Sequence, residues 1–154
     1  MAKPAKKKVY LIGSLRNPNI PKIAKKIRKL GFDVFDDWYP AGPKADDHWR
    51  DYEKAKGHNY EEALMGYAAC HVYEFDKKHL DECDIGILCM PAGRSGHLEA
   101  GYLRGMGKKV YILRDDPERW DVMYKFAHGV FDNFEKLEKE LKKIKKQVEY
   151  KKLE

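Results

Sequence analysis

The sequence predicts an α/β fold in which five strands form a mainly parallel sheet, doubly wound with helices on both faces. Two observations indicate this class. Short apolar runs alternate along the chain with segments of helical periodicity, and most of these runs are nearly continuous, as in buried parallel strands. The length of 154 residues, 43% of them hydrophobic, fits one domain with a single core and excludes a multidomain protein.

The first half of the chain contains two predicted strands and three predicted helices. The first strand ends at Gly13, and apolar residues then recur every three or four positions until Gly31 ends the first helix. The pattern loosens over 36–58, where we expect a long functional connection. Strands are predicted at 9–12 and 32–35, and helices at 20–30, 48–56 and 60–80.

The second half of the chain alternates more regularly between strands and helices. Ser95 is predicted to cap a helix that Gly107 ends. The last helix carries an apolar stripe at helical spacing, so we expect it to pack on the body and to fray at its end. The predicted strands are 85–90, 110–113 and 129–131, and the predicted helices are 96–106, 117–127 and 134 onward.

The formal charge of +6 is concentrated at the two ends of the chain. Residues 1–8 contain four lysines and no acid, and residues 134–154 contain eight lysines and five glutamates. The remaining body is therefore close to neutral, which argues against a long groove that follows the phosphates of a polymeric nucleic acid. We predict a basic arm at 1–8, a single catalytic α/β domain at 9–133 and a Lys/Glu-rich helix at 134–154.

Cysteine spacing favours a reducing, cytoplasmic location. Cys70, Cys83 and Cys89 fit neither a C-x-x-C pair nor a secreted disulfide framework. No apolar run reaches the roughly 18 residues of a membrane span, and no signal peptide is recognised. The histidines lack a metal-binding spacing, and neither a dinucleotide nor a P-loop glycine motif follows the first strand. We expect no metal and no membrane partner.

Two loops containing glycine and serine are predicted at the carboxyl ends of neighbouring strands. In the flavodoxin-like strand order 2-1-3-4-5, ligands bind where the winding direction reverses, between strands one and three. Backbone amides and an arginine in each loop suit an anionic or polyhydroxy ligand, while a plain structural turn explains either loop alone equally well. The candidate binding residues are Gly13, Ser14 and Arg16 in the first loop and Arg94, Ser95 and Gly96 in the second.

Two carboxylates are the candidate catalytic groups. Glu99 would lie in the first turn of the helix capped by Ser95, where the helix dipole would keep it ionised, as a nucleophile requires. Asp76 lies near the end of the long helix, where a salt bridge with Lys77 or Lys78 is the simpler interpretation. A nucleophilic carboxylate with a second group that handles protons is the minimum for cleaving a glycosidic bond through a covalent intermediate.

The E-A-G-Y motif at 99–102 lies on a helix after an apolar strand, and Asp76 precedes it at a moderately specific distance. With the segments at 9–13, 121–123 and 129–133, the motif resembles the nucleoside 2-deoxyribosyltransferase family over about 125 residues. The resemblance implies a flavodoxin-like, Rossmann-like fold. It also implies a cytoplasmic pentosyltransferase of purine or pyrimidine salvage that needs no cofactor and acts on a small nucleoside or nucleotide and a free nucleobase.

The resemblance also implies a role for each candidate residue. Glu99 would attack the anomeric carbon of the deoxyribose and form a glycosyl-enzyme intermediate, which a second base then captures. Asp76 would contact the nucleobase and manage its proton, and Tyr10 would hold the nucleophile in place. In many members of the family, the residue at the position of Asp121 reaches into the active site of a neighbouring subunit. This position implies a homodimer or a higher oligomer with shared active sites.

The sequence departs from the family pattern at the position that binds the 5′ end of the sugar. The transferases carry an acid about six residues before the nucleophile, whereas Gly93, Arg94 and Ser95 stand there in this chain. The Gly-Ser-Leu-Arg segment at 13–16 instead resembles the related deoxynucleoside 5′-monophosphate N-hydrolases, in which it binds phosphate.

Three alternatives to a nucleoside transferase therefore remain open. The first is a 5′-monophosphate N-hydrolase with water as the acceptor. The second is a nucleotide-binding or sensing module without turnover. The third is cleavage of the glycosidic bond of a nicotinamide dinucleotide.

Overall fold

Five parallel strands form the central sheet of the computed structural model, which describes residues 5–153. They are β1 (Lys8–Ile12), β2 (Asp33–Phe35), β3 (Ile85–Cys89), β4 (Lys109–Leu113) and β5 (Gly129–Phe131). The strand order is β2-β1-β3-β4-β5, and every neighbouring pair is parallel. The predicted fold class and strand order are thus confirmed. Residues 1–4 of the predicted basic arm lie outside the described residues.

Helices cover both faces of this sheet and connect its strands. They are α1 (Ile20–Lys29), α2 (Ala45–Ala55), α3 (Tyr60–Leu64), α4 (Tyr67–Glu82), α5 (Arg94–Gly105) and α6 (Phe134–Leu153). Two short 3-10 turns lie at Tyr39–Ala41 and Val122–Phe126. The long connection between β2 and β3 therefore contains α2, α3 and α4, and it carries Asp76.

Two apolar cores lie on opposite faces of the sheet, because successive strand residues point to opposite sides. Val9 and Leu11 face the core that α1 and α6 cover. Tyr10 and Ile12 face the core that α4 and α5 cover. The face with α4 and α5 thus brings Tyr10 of β1 to the two helices that carry Asp76 and Glu99.

The prediction of one continuous helix over 60–80 was wrong, because the structure has two helices in this segment. Gly66 adopts an extended conformation and forms the N-cap of α4, so that α3 ends at Leu64 and α4 begins at Tyr67. A β-carbon at Gly66 would lie 3.2 Å from the carbonyl oxygen of Ala63. The break could not be predicted because apolar residues recur at helical spacing both before and after it.

Three further boundaries differ from the sequence predictions. The segment 117–127 is helical only in the 3-10 turn Val122–Phe126, because Asp121 before it is extended and caps the turn. Ser95 is not a helix cap, since α5 begins at Arg94 with Gly93 as its N-cap. Lys8, assigned to the basic arm, is the first residue of β1.

The structure also bears on the predictions about membrane spans, metal sites and cysteines. Within residues 5–153, none of the helices has the length and apolar character needed to cross a membrane. In the same range, His, Cys, Asp and Glu side chains form no group of three that could hold a metal ion. Cys70, Cys83 and Cys89 are free thiols. A cytoplasmic location stays a prediction.

Candidate active site

Tyr10, Asp76 and Glu99 interact with one another at the α4 and α5 face of the sheet. Tyr10 comes from β1 and is 1% exposed, and its hydroxyl is close enough to the Glu99 carboxylate to lower the pKa of Glu99. The charges of Asp76 and Glu99 both act on Tyr10, and the charge of Asp76 acts on Glu99. The three side chains predicted to be catalytic therefore form one cluster, which we call the carboxylate cluster.

The Glu99 carboxyl is held partly protonated at neutral pH. Burial first, and the negative charge of Asp76 second, raise the pKa of Glu99 from 4.5 to about 7, while the neighbouring Tyr10 hydroxyl acts in the opposite direction. The sequence predicted that the helix dipole would keep Glu99 ionised. This expectation was wrong, because α5 begins at Arg94 and Glu99 lies in its second turn, beyond the reach of the dipole.

One oxygen of the Asp76 carboxylate, the buried Oδ1, lacks a hydrogen-bond partner among the residues that the structure describes. Burial raises the pKa of Asp76, and the charge of His79 opposes this shift. Lys77 does not neutralise Asp76, since its Nζ lies 2.8 Å from Oδ2 of Asp81. An unpartnered buried oxygen is costly unless a ligand or water satisfies it.

Tyr10 carries its proton in this environment. Burial is the largest of the effects that raise the pKa of Tyr10, followed by the negative charges of Glu99 and Asp76. A neutral phenol donates its hydrogen bond, and a carboxylate is the better acceptor when it is ionised. Tyr10 is therefore placed to orient Glu99 and to favour its ionised form.

An aromatic wall next to the carboxylate cluster was not foreseen from the sequence. The ring of Phe35 stacks on His79 with their centroids 3.9 Å apart and lies 4.9 Å from Tyr10 and 5.8 Å from Phe75. Phe35 ends β2, and His79 lies one turn after Asp76 on α4. Only the packing of α4 across β1 and β2 brings these rings together, so no spacing in the sequence signals the wall.

The loop after β1 is a compact turn tied to the end of β3. The backbone N–H of Arg16 donates to Ser14 Oγ at 3.1 Å, and a β-carbon at Gly13 would lie 2.7 Å from Ile20. Asn17 is 1% exposed and its Nδ2 donates to the carbonyl of Met90 at 3.5 Å. Asn17 was not among the predicted site residues. Its signal in the sequence is its position just before a predicted helix, where asparagine side chains often form turn hydrogen bonds.

Arg16 points away from this turn into solvent and lies 3.6 Å from the Asp47 carboxylate on α2. Both side chains of this pair are substantially exposed, so the contact contributes little to stability and an anionic ligand can displace it. The predicted binding residues Gly13, Ser14 and Arg16 thus form one loop, with Arg16 available to an incoming ligand.

The start of α5 separates the other predicted binding residues. Gly96 is buried against Leu88 and Ile12, and Ser95 is exposed. Arg94 lines a recess together with Arg119, and Glu99 does not line this recess. The structure therefore does not join Arg94 to the carboxylate cluster.

Asp121 directly precedes the 122–126 turn. Within the same chain it faces one flank of α5. Its Oδ1 accepts a hydrogen bond from the backbone N–H of Met123 at 2.8 Å. It also lines a cavity of about 650 Å³ whose lining does not include Glu99. The predicted role of Asp121 in the site of a neighbouring subunit is compatible with this position and stays a prediction.

No protein-family model matches the chain, and no curated protein is significantly similar to it. Solved structures share its architecture. A CMP N-glycosidase from Clostridium botulinum is 16% identical, with a TM-score of 0.54 over 88% of this chain and 98% of that chain. A 2-deoxyribosyltransferase from Bacillus psychrosaccharolyticus is 19% identical, with a TM-score of 0.58 over 85% and 90% of the two chains.

A conserved protein from Enterococcus faecalis is 14% identical, with a TM-score of 0.63 over 90% of this chain and 99% of that chain. Identities at this level establish a shared fold and leave activity to be argued from the site. The chain therefore has the α/β fold that a 2-deoxyribosyltransferase and a CMP N-glycosidase also adopt.

Proposed function

We propose that the protein is an enzyme that cleaves the N-glycosidic bond of 2′-deoxynucleosides and transfers the sugar from Glu99 to another nucleobase. The observation that carries this proposal is the carboxylate cluster, in which a partly buried Glu99 lies beside Asp76 and Tyr10. Two neighbouring carboxyl groups in one site suit a covalent glycosyl-enzyme route. The shared fold with a 2-deoxyribosyltransferase and a CMP N-glycosidase supports the same class of bond.

In the first step, the ionised carboxylate of Glu99 attacks C1′ of the sugar. A bond forms between a Glu99 oxygen and C1′ while the C1′–N bond breaks, and the electron pair of that bond stays on the base nitrogen. The departing base takes a proton from Asp76, whose raised pKa makes its protonated form more accessible near neutral pH. In this step the neutral Tyr10 hydroxyl donates to the attacking carboxylate and orients it.

In the second step, an acceptor base replaces the first one. A nitrogen of the acceptor attacks C1′, the bond from C1′ to Glu99 breaks, and the carboxylate regains its electron pair. Asp76, now ionised, accepts the proton that the acceptor nitrogen loses. The aromatic wall of Phe35, Phe75 and His79 offers a surface on which a planar base can lie.

The alternative acceptor is water, with a 5′-monophosphate as the substrate. The exposed Arg16 in the Gly-Ser-Leu-Arg loop favours this alternative, because a guanidinium binds phosphate through paired hydrogen bonds. Gly93 offers no carboxylate for a 5′-hydroxyl, and the space around its Cα is open. The two activities share the first step at Glu99 and differ in what captures the intermediate.

An assay with two bases separates these functions. We expect incubation with deoxyinosine and excess adenine to yield deoxyadenosine and hypoxanthine, measured by chromatography. Hypoxanthine without deoxyadenosine, or turnover of deoxyinosine monophosphate alone, would establish the hydrolase instead. Binding of nucleosides or monophosphates without any product would leave a sensing module and refute both enzymes. A parallel incubation with a nicotinamide dinucleotide tests the remaining alternative.

Exposed apolar side chains support the proposal of a shared-site oligomer. Trp120 and Val122 next to Asp121 are 86% and 75% exposed, and Val72 and Tyr73 on α4 are also exposed. Contiguous exposed apolar surface marks an interaction site in soluble proteins. A second copy that covers α4 with its 122–126 turn would bring its Asp121 towards Glu99.

Complementation between two inactive variants tests this arrangement. Glu99→Ala and Asp121→Ala should each be strongly impaired alone, because each removes one half of every shared site. Co-expression should restore about a quarter of wild-type activity, since half of the dimers are mixed and hold one intact site of two. Activity equal to the sum of the two variants alone would show that Asp121 does not serve a neighbouring chain.

A further inference from the structure

The flank of α5 opposite the carboxylate cluster borders a cavity that the proposed reaction does not use. His97, Gly101 and Arg104 line it at a spacing of three or four residues, so they share one side of the helix. Glu99 and Tyr102 lie on the other side, where Tyr102 donates a hydrogen bond to Asp81 of α4. The helix itself therefore separates this cavity from the catalytic candidates.

The cavity has the size and character of a small-molecule site. Its volume is about 650 Å³, and its floor is apolar, with Leu88, Val110 and Ile112 from β3 and β4. The opposite wall is the 122–126 turn, which contributes the ring of Phe126. On the α5 side, Gly101 leaves open space, because a β-carbon there would meet no atom within 4 Å. The volume and the apolar lining suit a flat aromatic ring.

Arg104 supplies polar groups at the edge of this cavity. Its Nε donates to the carbonyl oxygen of Phe126 at 2.8 Å, which fixes the plane of the guanidinium. No ion pair to Arg104 is formed within the described residues, so its terminal amino groups remain available as donors. Asp121 is the acidic residue of the cavity, and its Oδ1 already accepts from the backbone of Met123.

A second recess adjoins the cavity at His97 and differs from it in carrying two arginine side chains. It has a volume of about 600 Å³ and is lined by Arg94 and Arg119 without any acidic residue. Neither arginine forms an ion pair with another residue in the described part of the chain. Arg94 precedes Glu99 by five residues, about 140° around the helix, so its side chain points away from the carboxylate cluster. Two unpaired guanidinium groups suit a phosphate.

His97 stands between the two recesses and is held on both sides. Its Nδ1 lies 2.7 Å from the carbonyl oxygen of Gly93 and therefore donates to it. Its Nε2 lies 2.9 Å from the hydroxyl of Tyr124 in the 122–126 turn. The bond with Tyr124 connects the start of α5 to the turn at the point where the two recesses meet.

We propose that this flank of α5 is a second, non-catalytic binding site for a nucleotide. The base occupies the apolar cavity against Phe126 and accepts hydrogen bonds from Arg104. The phosphate occupies the recess between Arg94 and Arg119. The site is separate from Glu99 and goes beyond the proposed reaction, so it can exist whether or not the protein transfers deoxyribose.

An NMR titration with adenosine 5′-monophosphate tests the site. We expect the amide signals of Gly101, Gly105 and Ala127 to shift in a saturable manner. Adenine alone and inorganic phosphate alone should bind more weakly than the nucleotide, because each fills one recess only. Replacing Arg94 and Arg119 together by alanine should weaken binding, read at these signals, by about tenfold or more. Arg50→Ala on α2 removes a guanidinium outside both recesses and should leave the affinity unchanged.

A cavity-filling variant checks the position of the base. Gly101→Leu places a side chain in open space, so its melting temperature should stay close to that of the wild type while the nucleotide-dependent shifts disappear. Shifts confined to the loop at 13–16 and Tyr10 would overturn the proposal, as would unchanged affinity in the double arginine variant. Phosphate binding as tight as the nucleotide would also overturn it. A change of oligomeric state in Gly101→Leu without any nucleotide binding would show that a second copy fills the cavity.

Discussion

Replacing Glu99 with alanine should lower the rate of glycosidic cleavage by at least about a thousandfold, because the covalent route then has no nucleophile. The variant should still bind substrate, since Asp76, Tyr10 and the loop at 13–16 remain. Initial rates with deoxyinosine or its monophosphate measure the loss. Added azide, a small anion that can attack C1′ in place of the missing carboxylate, should restore part of the rate and yield a glycosyl azide.

A matched control separates this effect from a general change of the surface. Glu74→Ala removes an exposed carboxylate from α4, two residues from Asp76, and should keep wild-type activity. Mass spectrometry of the wild type, quenched during turnover, should show one deoxyribosyl group added to the chain, and Glu99→Ala should lack it. If Glu99→Ala retains most of its activity, another group attacks C1′ and the role assigned to Glu99 is wrong.

The second large effect concerns the stability of the fold. Replacing Glu99 with glutamine should raise the free energy of unfolding at pH 8 by on the order of 3 kcal/mol and leave it nearly unchanged at pH 4. The reason is the pKa of Glu99, which is about 7 in the folded chain and 4.5 ordinarily. Its stabilising contribution is complete below pH 4.5 and is lost as the pH rises through 7. Glutamine stays neutral and avoids this loss.

Urea unfolding at the two pH values measures the difference. Asp76→Asn supplies the cross-check, because it removes the negative charge that is the second cause of the raised pKa of Glu99. In that background the gain from Glu99→Gln at pH 8 should become smaller. An equal gain at pH 4 and pH 8 would mean that the substitution acts through packing and not through ionisation.

The fold could be predicted because its signal lies within each segment. Nearly continuous apolar runs such as 9–12 and 85–89 specify buried parallel strands, and the glycines at 31 and 107 end the helices before β2 and β4. Residues at the carboxyl ends of parallel strands and on the following helices meet by topology alone. Topology thus brings the segments at 13–16 and 93–96 to one edge of the sheet, whereas the grouping of Tyr10, Asp76 and Glu99 rested on the resemblance to the deoxyribosyltransferase family.

The features that could not be predicted from the sequence depend on contacts between distant segments of the chain. The prediction that Glu99 is held ionised was wrong. Because the helix begins at Arg94, the dipole acts weakly on Glu99, and burial and the charge of Asp76 raise its pKa. The wall around Phe35 requires α4 to cross β1 and β2, which no local pattern encodes. Asn17 joins two loops that lie 73 residues apart in the chain, so its importance appears only in the folded state.

The distribution of helices gives the molecule two chemically different sides. α1 and α6 cover one face of the sheet, and their outward surfaces carry exposed lysines, among them Lys22, Lys25, Lys139 and Lys143. The carboxylate cluster lies on the other face. Many of the amines with which a bead could react therefore lie on the α1 and α6 side, and a chain attached there would keep the face with Tyr10, Asp76 and Glu99 turned away from the bead.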